Sequence, residues 1–334
     1  MNNQNGPVSH TVLKRITLAL YIVAVALSLV VVIVFVALKL FAPPPEVPGQ
    51  VELPIVTNSP PPEQSSDVVS SSPPETLTFT RRDGVYTCLL LGVANLGGSD
   101  TIMLGVFDTG AKTASLVSIP RDTVVKYNGT FMKLSAAYSY GGVEAVSQCV
   151  QNMLAVPIHY YVSVDTRAFR EIVNEIGGVY FDVPVNMDYE DSADDLYIHI
   201  KKGYQLLDGE QAEGVVRCRN CYDNADIGRT ATQRAFLTAL VKQTVTLSNV
   251  TKVTSLINIL NTYVETDMEL SQMVYFGTQA VGMDLDTALA SAVLSANWVS
   301  PYIVPREEEV LKLVNSLGIY EEEIPANVLR LEHP

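Results

Sequence analysis

Three short apolar runs between residues 86 and 119 decide the fold. They read Tyr86-Thr-Cys-Leu-Leu-Leu-Gly-Val93, Thr101-Ile-Met-Leu-Gly-Val-Phe107 and Ala114-Ser-Leu-Val-Ser-Ile119. Glycine and aspartate separate the runs, and runs of this length bounded by turn residues predict buried strands. The centre of the protein is therefore expected to be a sheet that is covered on both faces.

Further along the chain, helical and strand patterns alternate. Helices are predicted over Glu144–Leu154 and Thr166–Ile176, strands over Tyr160–Val164 and Val179–Val183, and a longer helix from Arg229 to about residue 247. This alternation indicates an α/β fold, with helices on both sides of a mixed central sheet in three layers, α/β/α. The predicted domain spans residues 81–248.

The region from 249 to 334 is predicted to be a helical C-terminal extension packed on the same domain. It is expected to contain two or more further helices, a short strand at Tyr302–Val304 and a closing helix over Arg306–Leu317.

A transmembrane helix is predicted near the N-terminus. Residues 16–38 contain no charged residue, proline or glycine, and at about 1.5 Å per residue they are long enough to cross a bilayer. A cleaved signal peptide is the weaker interpretation, because the apolar run is too long and no small-residue cleavage pattern follows. Lys14 and Arg15 outnumber Lys39, so residues 1–15 are expected in the cytoplasm and the rest outside.

A linker is predicted between the anchor and the domain, over residues 39–80. Residues 42–80 hold ten of the chain's 18 prolines, interspersed with serine and glutamate. Such a composition buries little apolar surface, so the segment is expected to be extended or disordered.

The charge and the cysteines limit the possible functions. A net charge of −14 argues against a nucleic-acid binder, which needs a basic surface. Cys88, Cys149, Cys218 and Cys221 allow disulfides without requiring them. Cys218 and Cys221 have CxxC spacing but no second pair, so ordinary small apolar residues are the first interpretation and a local disulfide the second.

The chemistry is concentrated between residues 214 and 233. The β-branched pair before Arg217 favours a strand, on which Arg217 and Arg219 would point to the same side. Asp226 occupies a helix N-cap position, so Arg229 and Gln233 would share the face of a helix near its positive end. Guanidinium groups and helix N-termini both bind phosphate, which makes this a candidate anion site. Surface arginines paired with nearby acids are the competing interpretation.

Two further clusters lie at predicted strand ends. The turn Gly97-Gly98-Ser99 leads to Asp100, which is either turn chemistry or a carboxylate for Mg²⁺ beside a diphosphate. Arg121 and Asp122 follow the third strand, at the sheet edge where α/β folds bind ligands.

These motifs resemble those of the LytR-CpsA-Psr family of Gram-positive envelope proteins. The similarity covers most of the chain, from the short tail and anchor to the arginine cluster. Its motifs occur in the order typical of the family and are Leu89-Leu-Leu-Gly-Val93, Ser99-Asp-Thr101, Ser118-Ile-Pro-Arg-Asp-Thr123, Lys133, Ala137-Tyr-Ser-Tyr-Gly-Gly142, Ile176-Gly-Gly-Val179, Leu207-Asp-Gly-Glu-Gln-Ala212, Arg217-Cys-Arg219 and Asp226-Ile-Gly-Arg229.

The resemblance implies an extracytoplasmic domain on a single-pass membrane anchor. Its expected reaction transfers a phosphate-linked glycopolymer, such as a teichoic acid or capsular polysaccharide, from a polyprenyl diphosphate carrier to a peptidoglycan hydroxyl. The lipid tail would lie in a long apolar tunnel. By position, Asp100 would bind Mg²⁺, and the diphosphate would be held by Arg121, Arg217, Arg219 and Arg229, with Lys133 and Gln233 nearby.

The chain departs from the family pattern at three places. Ala94 stands where a second metal-binding aspartate is usual, Ser135-Ala136 replaces an Asn-His pair, and Thr232 replaces an arginine. Asn95 and Asp122 are the candidate substitutes for the carboxylate and Arg234 is the candidate for the arginine, although Arg234 projects in a different direction from residue 232. Three functions therefore stay open: the transferase, a member that binds the lipid-linked polymer without efficient transfer, and a polyprenyl diphosphate hydrolase.

Overall fold

A computed structural model describes residues 43–56, 75–93, 98–191, 196–222, 226–244, 259, 262–280 and 283–334. The described residues divide into a large unit within 46–268 and 279–334 and a small unit that contains 43–45 and 269–278. The predicted anchor at 16–38 lies outside the described residues. Within the described ranges, no helix is long and apolar enough to cross a membrane.

The elements are numbered in chain order within the described residues. The strands are β1 (Gln50–Pro54), β2 (Thr76–Thr80), β3 (Val85–Val93), β4 (Ser99–Asp108), β5 (Thr113–Ser118), β6 (Val124–Tyr127), β7 (Thr130–Lys133), β8 (Tyr160–Asp165), β9 (Val179–Val183), β10 (Met187–Asp191), β11 (Leu196–Ile200), β12 (Gly203–Leu207), β13 (Val264–Thr266), β14 (Leu289–Val293), β15 (Ala296–Val299) and β16 (Tyr302–Pro305). The helices are α1 (Leu134–Leu154), α2 (Thr166–Glu175), α3 (Gly209–Arg217), α4 (Asp226–Thr244), α5 (Leu270–Ala280), α6 (Leu285–Ala288) and α7 (Glu307–Ser316), with a 3₁₀ turn at Ala326–Val328.

The central sheet has six strands in the order β13-β8-β3-β4-β5-β14. Strand β3 is parallel to β8 and antiparallel to β4, and β5 is antiparallel to β4 and parallel to β14. The sheet is therefore mixed, and the carboxyl ends of β3, β5 and β8 meet at one edge. This confirms the predicted α/β fold, and the three apolar runs of residues 86–119 form its neighbouring strands β3, β4 and β5.

One face of the sheet packs on α1 and α7. Strand residues with even spacing, such as Leu89 and Leu91 in β3 and Ile102 and Leu104 in β4, form a single buried cluster with residues of these two helices. The helix α1 is longer than predicted, since it begins at Leu134 rather than at 144. Two glycines inside it have non-helical dihedral angles and interrupt the apolar pattern, which explains why the sequence indicated only its second half.

The other face of the sheet is covered by α2, α3 and α4. These helices and strands β9 to β12 share a second buried cluster, in which Phe236 of α4 packs against Phe169 and Phe181. The helices α2 and α3 approach so closely that a Cβ atom on Gly209 would clash with the backbone oxygen of Arg170. A larger residue at 209 would push α3 away from α2.

The prediction that residues 39–80 form an extended or disordered linker is wrong at both described ends. Strands β1 and β2 pair with each other, and Leu53 and Phe79 are buried in the core. Arg81 is buried and donates a hydrogen bond to the backbone oxygen of Pro48 at 3.0 Å. The average composition of the segment is dominated by proline and serine. It therefore gives no sign of the two short stretches, β1 and β2, in which apolar and polar residues alternate.

The prediction that residues 249–334 form a helical extension also needs correction. This region supplies both edge strands of the central sheet, β13 beside β8 and β14 beside β5. The predicted strand at 302–304 is present as β16, paired with β15, and the closing helix is present as α7. Short edge strands have weak patterns of their own, because pairing with a neighbour stabilises them.

Candidate functional site

The site lies at the edge of the sheet where β3, β5 and β8 end. Asp165 ends β8 and pairs in register with Val93 of β3, and Asp100 lies at the start of the antiparallel strand β4. Arg121 follows β5 by three residues. Ligands bind at this edge in open α/β sheets, so the topology brings the predicted residues Asp100 and Arg121 together where a ligand is expected.

Arg121 links the carboxylates of this edge. Its guanidinium group donates to Asp100 and also lies 3.8 Å from Asp122. The Lys133 amino group lies 3.1 Å from the Asp122 carboxylate, on the side away from Asp100 in the chain of ion pairs. Lys133 is therefore linked to Arg121 through Asp122, and neither Lys133 nor Asp122 lines the cavity described below.

The prediction that Arg217 and Arg219 lie on a strand is wrong. Residues 209–217 form the helix α3, which begins with a capping box: Asp208 accepts from the backbone of Gln211, and the Gln211 side chain accepts from the backbone of Asp208. Two reciprocal hydrogen bonds at the first turn outweigh the preference of two β-branched residues for a strand. Arg217 is the last helical residue, and Arg219 follows the helix.

Cys218 and Cys221 form a disulfide, whereas the first interpretation of the sequence was that they are ordinary apolar residues. The bond closes a loop that contains Arg219 and Asn220, both of which line the cavity. Cys88 and Cys149 are free, and burial raises the pKa of Cys88 to about 12 and that of Cys149 to about 11. The disulfide thus fixes a short segment that belongs to the site.

A buried carboxylate, which sequence reasoning missed, holds Arg217. Glu213 is only 8% exposed; it lies 2.7 Å from Arg217 and 3.1 Å from Arg170. The spacing of four residues between Glu213 and Arg217 on one helix was the available signal, since side chains four apart on a helix are neighbours. Glu213 fixes the direction of the Arg217 guanidinium group toward the cavity.

The helix α4 contributes Arg229 and Gln233. Both side chains are buried, and Gln233 donates to the backbone oxygen of Val216 at 2.9 Å, which ties α4 to the end of α3. Thr232, at the position where the family resemblance implies a second arginine, is hydrogen-bonded to the Tyr222 hydroxyl at 2.6 Å. Arg234 does not line the cavity, so it does not supply the missing charge.

A cavity of about 560 Å³ joins these residues to an apolar wall. Its charged lining consists of four arginines and three carboxylates, a net positive charge in an acidic protein. The charged and amide-bearing lining residues are Asp100, Arg121, Asp165, Glu213, Arg217, Arg219, Asn220, Arg229 and Gln233. The principal apolar ones are Leu90, Met103, Val162, Val164, Phe169, Ile172, Leu196, Val216, Phe236, Leu237 and Leu240.

The polar and apolar parts of the cavity are separated along α4. Arg229 and Gln233 lie in the first turns of this helix, and Phe236, Leu237 and Leu240 lie in the following ones. At 1.5 Å per residue, the wall from 229 to 240 is about 17 Å long. The cavity therefore has the charge distribution of a site for an anion that carries an extended apolar group.

Comparison with known proteins places this architecture. The model of the LytR_cpsA_psr family matches residues 59–309. The chain belongs to this family. The matched range contains the described central sheet and every residue of the site.

Two named proteins illustrate the sequence similarity of this chain to known proteins. It is 32% identical over 215 residues to the polyisoprenyl-teichoic acid–peptidoglycan teichoic acid transferase TagV of Bacillus subtilis, covering 60% of this chain and 55% of TagV. It is 31% identical over 197 residues to the transferase TagU of Enterococcus faecalis, covering 56% of this chain and 63% of that protein. The alignments thus span somewhat more than half the length of these relatives.

Solved structures of the family share the fold. The crystal structure of B. subtilis TagV has a TM-score of 0.62 and 28% identity, and the match covers 71% of this chain and 96% of that one. A structure of TagT bound to LIIa-WTA has a TM-score of 0.59 at 24% identity, covering 70% and 90% of the two chains. These similarities agree with the mixed sheet and helical layers described above.

Proposed function

We propose that this protein transfers a phosphate-linked glycopolymer from a polyprenyl diphosphate carrier to a peptidoglycan hydroxyl in cell-wall assembly. The observation that carries the proposal is a cavity in which a cluster of arginines continues into an apolar wall. A diphosphate fits the arginines and a polyprenyl chain fits the wall. The relatives TagV and TagU, which are named as transferases of polyisoprenyl-linked teichoic acid, support the same substrate class.

The proposed reaction is a phosphoryl transfer. The acceptor hydroxyl attacks the phosphorus next to the glycopolymer, the bond from that phosphorus to the bridging oxygen breaks, and polyprenyl phosphate leaves. The hydroxyl proton passes to solvent. Negative charge accumulates on the phosphoryl oxygens, and catalysis of such reactions depends mainly on positioning and charge neutralisation. Arg121, Arg217, Arg219 and Arg229 would supply both.

Magnesium is the cofactor we propose for this site. Mg²⁺ takes oxygen ligands, commonly one or two carboxylates together with substrate phosphates. The Asp100 carboxylate lines the cavity beside Arg121, and Asp165 lines it from the neighbouring strand end. One oxygen of each carboxylate is already engaged, since Asp165 accepts from the backbone of Ala168 and Asp100 accepts from Arg121, so each carboxylate has its second oxygen left for a metal. The residues present fit a metal that is completed by phosphate oxygens and would neutralise their charge.

We also propose that the domain lies outside the cytoplasmic membrane, on the predicted anchor at 16–38. The Cys218–Cys221 bond supports this location, because disulfides persist in oxidising compartments and are rare in the cytosol. A carrier lipid and an anchored protein would then share the same bilayer, with the peptidoglycan acceptor on the same side.

A second candidate function rests on Thr232. Its hydroxyl is hydrogen-bonded to Tyr222, so the position offers the diphosphate no positive charge. Ala94, the other departure from the family pattern, lies outside the described residues. If the lost groups act mainly in the transition state, each loss raises the activation free energy of transfer by a few kcal/mol and slows turnover accordingly. The protein would then bind the lipid-linked polymer and release little product.

One experiment distinguishes these functions. The purified chain is given a radiolabelled polyprenyl diphosphate saccharide, Mg²⁺ and peptidoglycan fragments, and label is followed in the polymer, in water-soluble phosphate products and in the protein-bound lipid. Transfer to peptidoglycan that is lost in Arg217→Ala supports the transferase. Binding without turnover, with turnover gained in Ala94→Asp, supports the binder. Release of soluble product without an acceptor supports the hydrolase, and absence of lipid binding refutes the proposed site.

A further inference from the structure

The outer face of the β9–β12 ribbon carries an unexpected group of exposed apolar side chains. The inner face is buried through Val179, Phe181 and Leu207, as expected for a strand pair packed on a core. On the outer face, Tyr180 is 51% exposed and Tyr204 is 73% exposed. The outer face of such a ribbon is ordinarily polar, so its aromatic character needs a function.

The two tyrosines form a rigid unit. Their rings are stacked, with centroids 5.8 Å apart and an interplanar angle of 14°. Leu206 pairs directly with Tyr180 across the ribbon and is 46% exposed, so it extends the same apolar surface. Tyrosine combines an apolar ring with a polar tip, and this is why it is enriched at the boundary between water and membrane.

Two lysines border this surface. Lys201 and Lys202 are exposed in the turn that leads into β12, and neither has an acidic partner within 4 Å among the residues that the structure describes. Asp182, opposite Tyr204, is the acid on this face of the ribbon. In a chain of net charge −14, two adjacent exposed lysines beside exposed tyrosines are charge-complementary to an anionic lipid surface.

The ribbon is joined to the apolar end of the cavity. Gln243, in the last turn of α4, accepts from the Tyr180 backbone nitrogen at 2.9 Å and donates to the Tyr180 backbone oxygen at 3.1 Å. The wall of the cavity runs along α4 from Arg229 to Leu240, one turn before Gln243. The ribbon therefore lies beyond the apolar end of the cavity, away from the arginines.

We propose that Tyr180, Tyr204, Leu206, Lys201 and Lys202, together the ribbon patch, form a membrane-docking surface for an anionic bilayer. The tyrosines and Leu206 would enter the headgroup region, and the lysines would contact anionic headgroups. This contact turns the apolar end of the cavity toward the lipid, which is where a polyprenyl chain must enter. That last consequence rests on the proposed function; docking itself does not.

The test uses fluorescence, because the chain contains a single tryptophan, Trp298. In a Trp298→Phe background, Tyr204→Trp places the chain's one tryptophan in the ribbon patch, where it is excited selectively over the tyrosines. The full chain is reconstituted in vesicles of neutral lipid, or of neutral lipid with about one third phosphatidylglycerol, whose acyl chains are brominated near the headgroup. Native Trp298, which is 64% exposed on the hairpin of β15 and β16, serves as the matched control.

We expect quenching of the Tyr204→Trp reporter in anionic vesicles and little quenching of native Trp298. The double variant Lys201→Glu with Lys202→Glu is expected to weaken the affinity of the ribbon patch for anionic vesicles. The loss should be roughly fivefold for each lysine removed and larger with charge reversal. High salt is expected to weaken docking in the same direction. Equal quenching of both reporters, or none at the ribbon patch, would overturn the proposal. A reporter that responds to soluble peptidoglycan fragments but not to vesicles would instead identify a saccharide platform, and would also overturn it.

Binding of farnesyl diphosphate, measured by calorimetry in vesicle-free detergent solution, separates this inference from the proposed function. The lysine variant should bind farnesyl diphosphate as the parent chain does, because the ribbon patch lies outside the cavity. Docking without farnesyl diphosphate binding would refute the proposed function and leave docking intact. Farnesyl diphosphate binding without docking would refute only the docking surface.

Discussion

Loss of the Cys218–Cys221 disulfide is predicted to damage the site more than the fold. The bond joins residues three apart in sequence. The chain-entropy relation that gives about 3 kcal/mol for a 15-residue loop gives only about 2 kcal/mol for a loop of four residues. Cys221→Ser is the better variant, because Cys218 is completely buried and a serine there would add an unfavourable buried hydroxyl.

The effect on ligand binding follows from what the loop contains. Arg219 and Asn220 line the cavity, and once the bond is broken a diphosphate must order them. Ordering the backbone of one residue costs about 1–2 kcal/mol, so two residues cost about 2–4 kcal/mol, and each 1.4 kcal/mol is a tenfold loss of affinity. The backbone nitrogen of Cys218 still donates to Gly214 at 3.0 Å, which keeps part of the order. We therefore expect a loss of roughly tenfold to thirtyfold.

Calorimetric titration with farnesyl diphosphate measures this loss. The oxidised chain, the same chain treated with a phosphine reductant, and Cys221→Ser are compared, and urea unfolding of each gives its stability. Maleimide labelling under native conditions confirms reduction. The control is reductant added to Cys221→Ser, which should leave the affinity for farnesyl diphosphate unchanged. In this variant no disulfide remains to be reduced, because Cys88 and Cys149 are free thiols with raised pKa values.

One result would refute the reasoning directly. If reduction is complete by labelling and the affinity for farnesyl diphosphate changes by less than twofold, the disulfide does not position Arg219 in the cavity. A loss of affinity that reductant also produces in Cys221→Ser would show that the effect comes from elsewhere in the chain.

Three further predictions concern stability and the metal. Burial, and secondarily the charge of Arg81, lowers the pKa of His159 from 6.5 to about 4. The free energy of unfolding should therefore keep its full value above about pH 6.5 and decrease by about 3 kcal/mol as the pH falls from there through 4. Urea unfolding measured across this range should show that His159→Asn lacks this dependence. Gly209→Ala should destabilise the protein by about 1–3 kcal/mol or more, because its Cβ would meet backbone atoms, whereas Gly277→Ala, which meets nothing within 4 Å, should be neutral or stabilising in thermal unfolding. Mg²⁺ should strengthen farnesyl diphosphate binding in calorimetry, chelation with EDTA should reverse this, and Asp100→Asn should lose the response; an unchanged response in Asp100→Asn would contradict the proposed metal ligand.

Much of the fold was predictable because its central strands are fully buried. Strands β3, β4, β5 and β8 lie within a residue or two of their predicted positions, since a strand covered on both faces reads as an apolar run whatever surrounds it. Strand β9, which is buried on one face only, also matches its predicted bounds. The candidate residues Asp100, Arg121, Arg217, Arg219, Arg229 and Gln233 also line one cavity, as the motif order indicated.

Other features do not follow from the strongest local pattern. Two valines before Arg217 favour a strand, whereas the capping box formed by Asp208 and Gln211 determines a helix, α3. The spacing of Glu213 and Arg217 is compatible with an ion pair on one helix, but the second partner of Glu213, Arg170, belongs to α2 and is set by the packing of the two helices. Strands β1 and β2 are short, and their pairing and burial depend on a core built by distant residues.

The amino-acid sequence by itself determined the α/β fold, the family and the types of side chain at the site, because buried strands, glycine turns and clustered arginines are local properties. Only the tertiary structure decided how these side chains meet: a disulfide around Arg219, a buried glutamate behind Arg217 and a cavity that passes from charged to apolar along α4. The physical reason is that even partners three or four residues apart, such as Cys218 with Cys221 and Glu213 with Arg217, form these contacts only in the geometry and burial that the fold imposes. Their energies depend on distance and burial, and neither quantity is written in a short stretch of sequence.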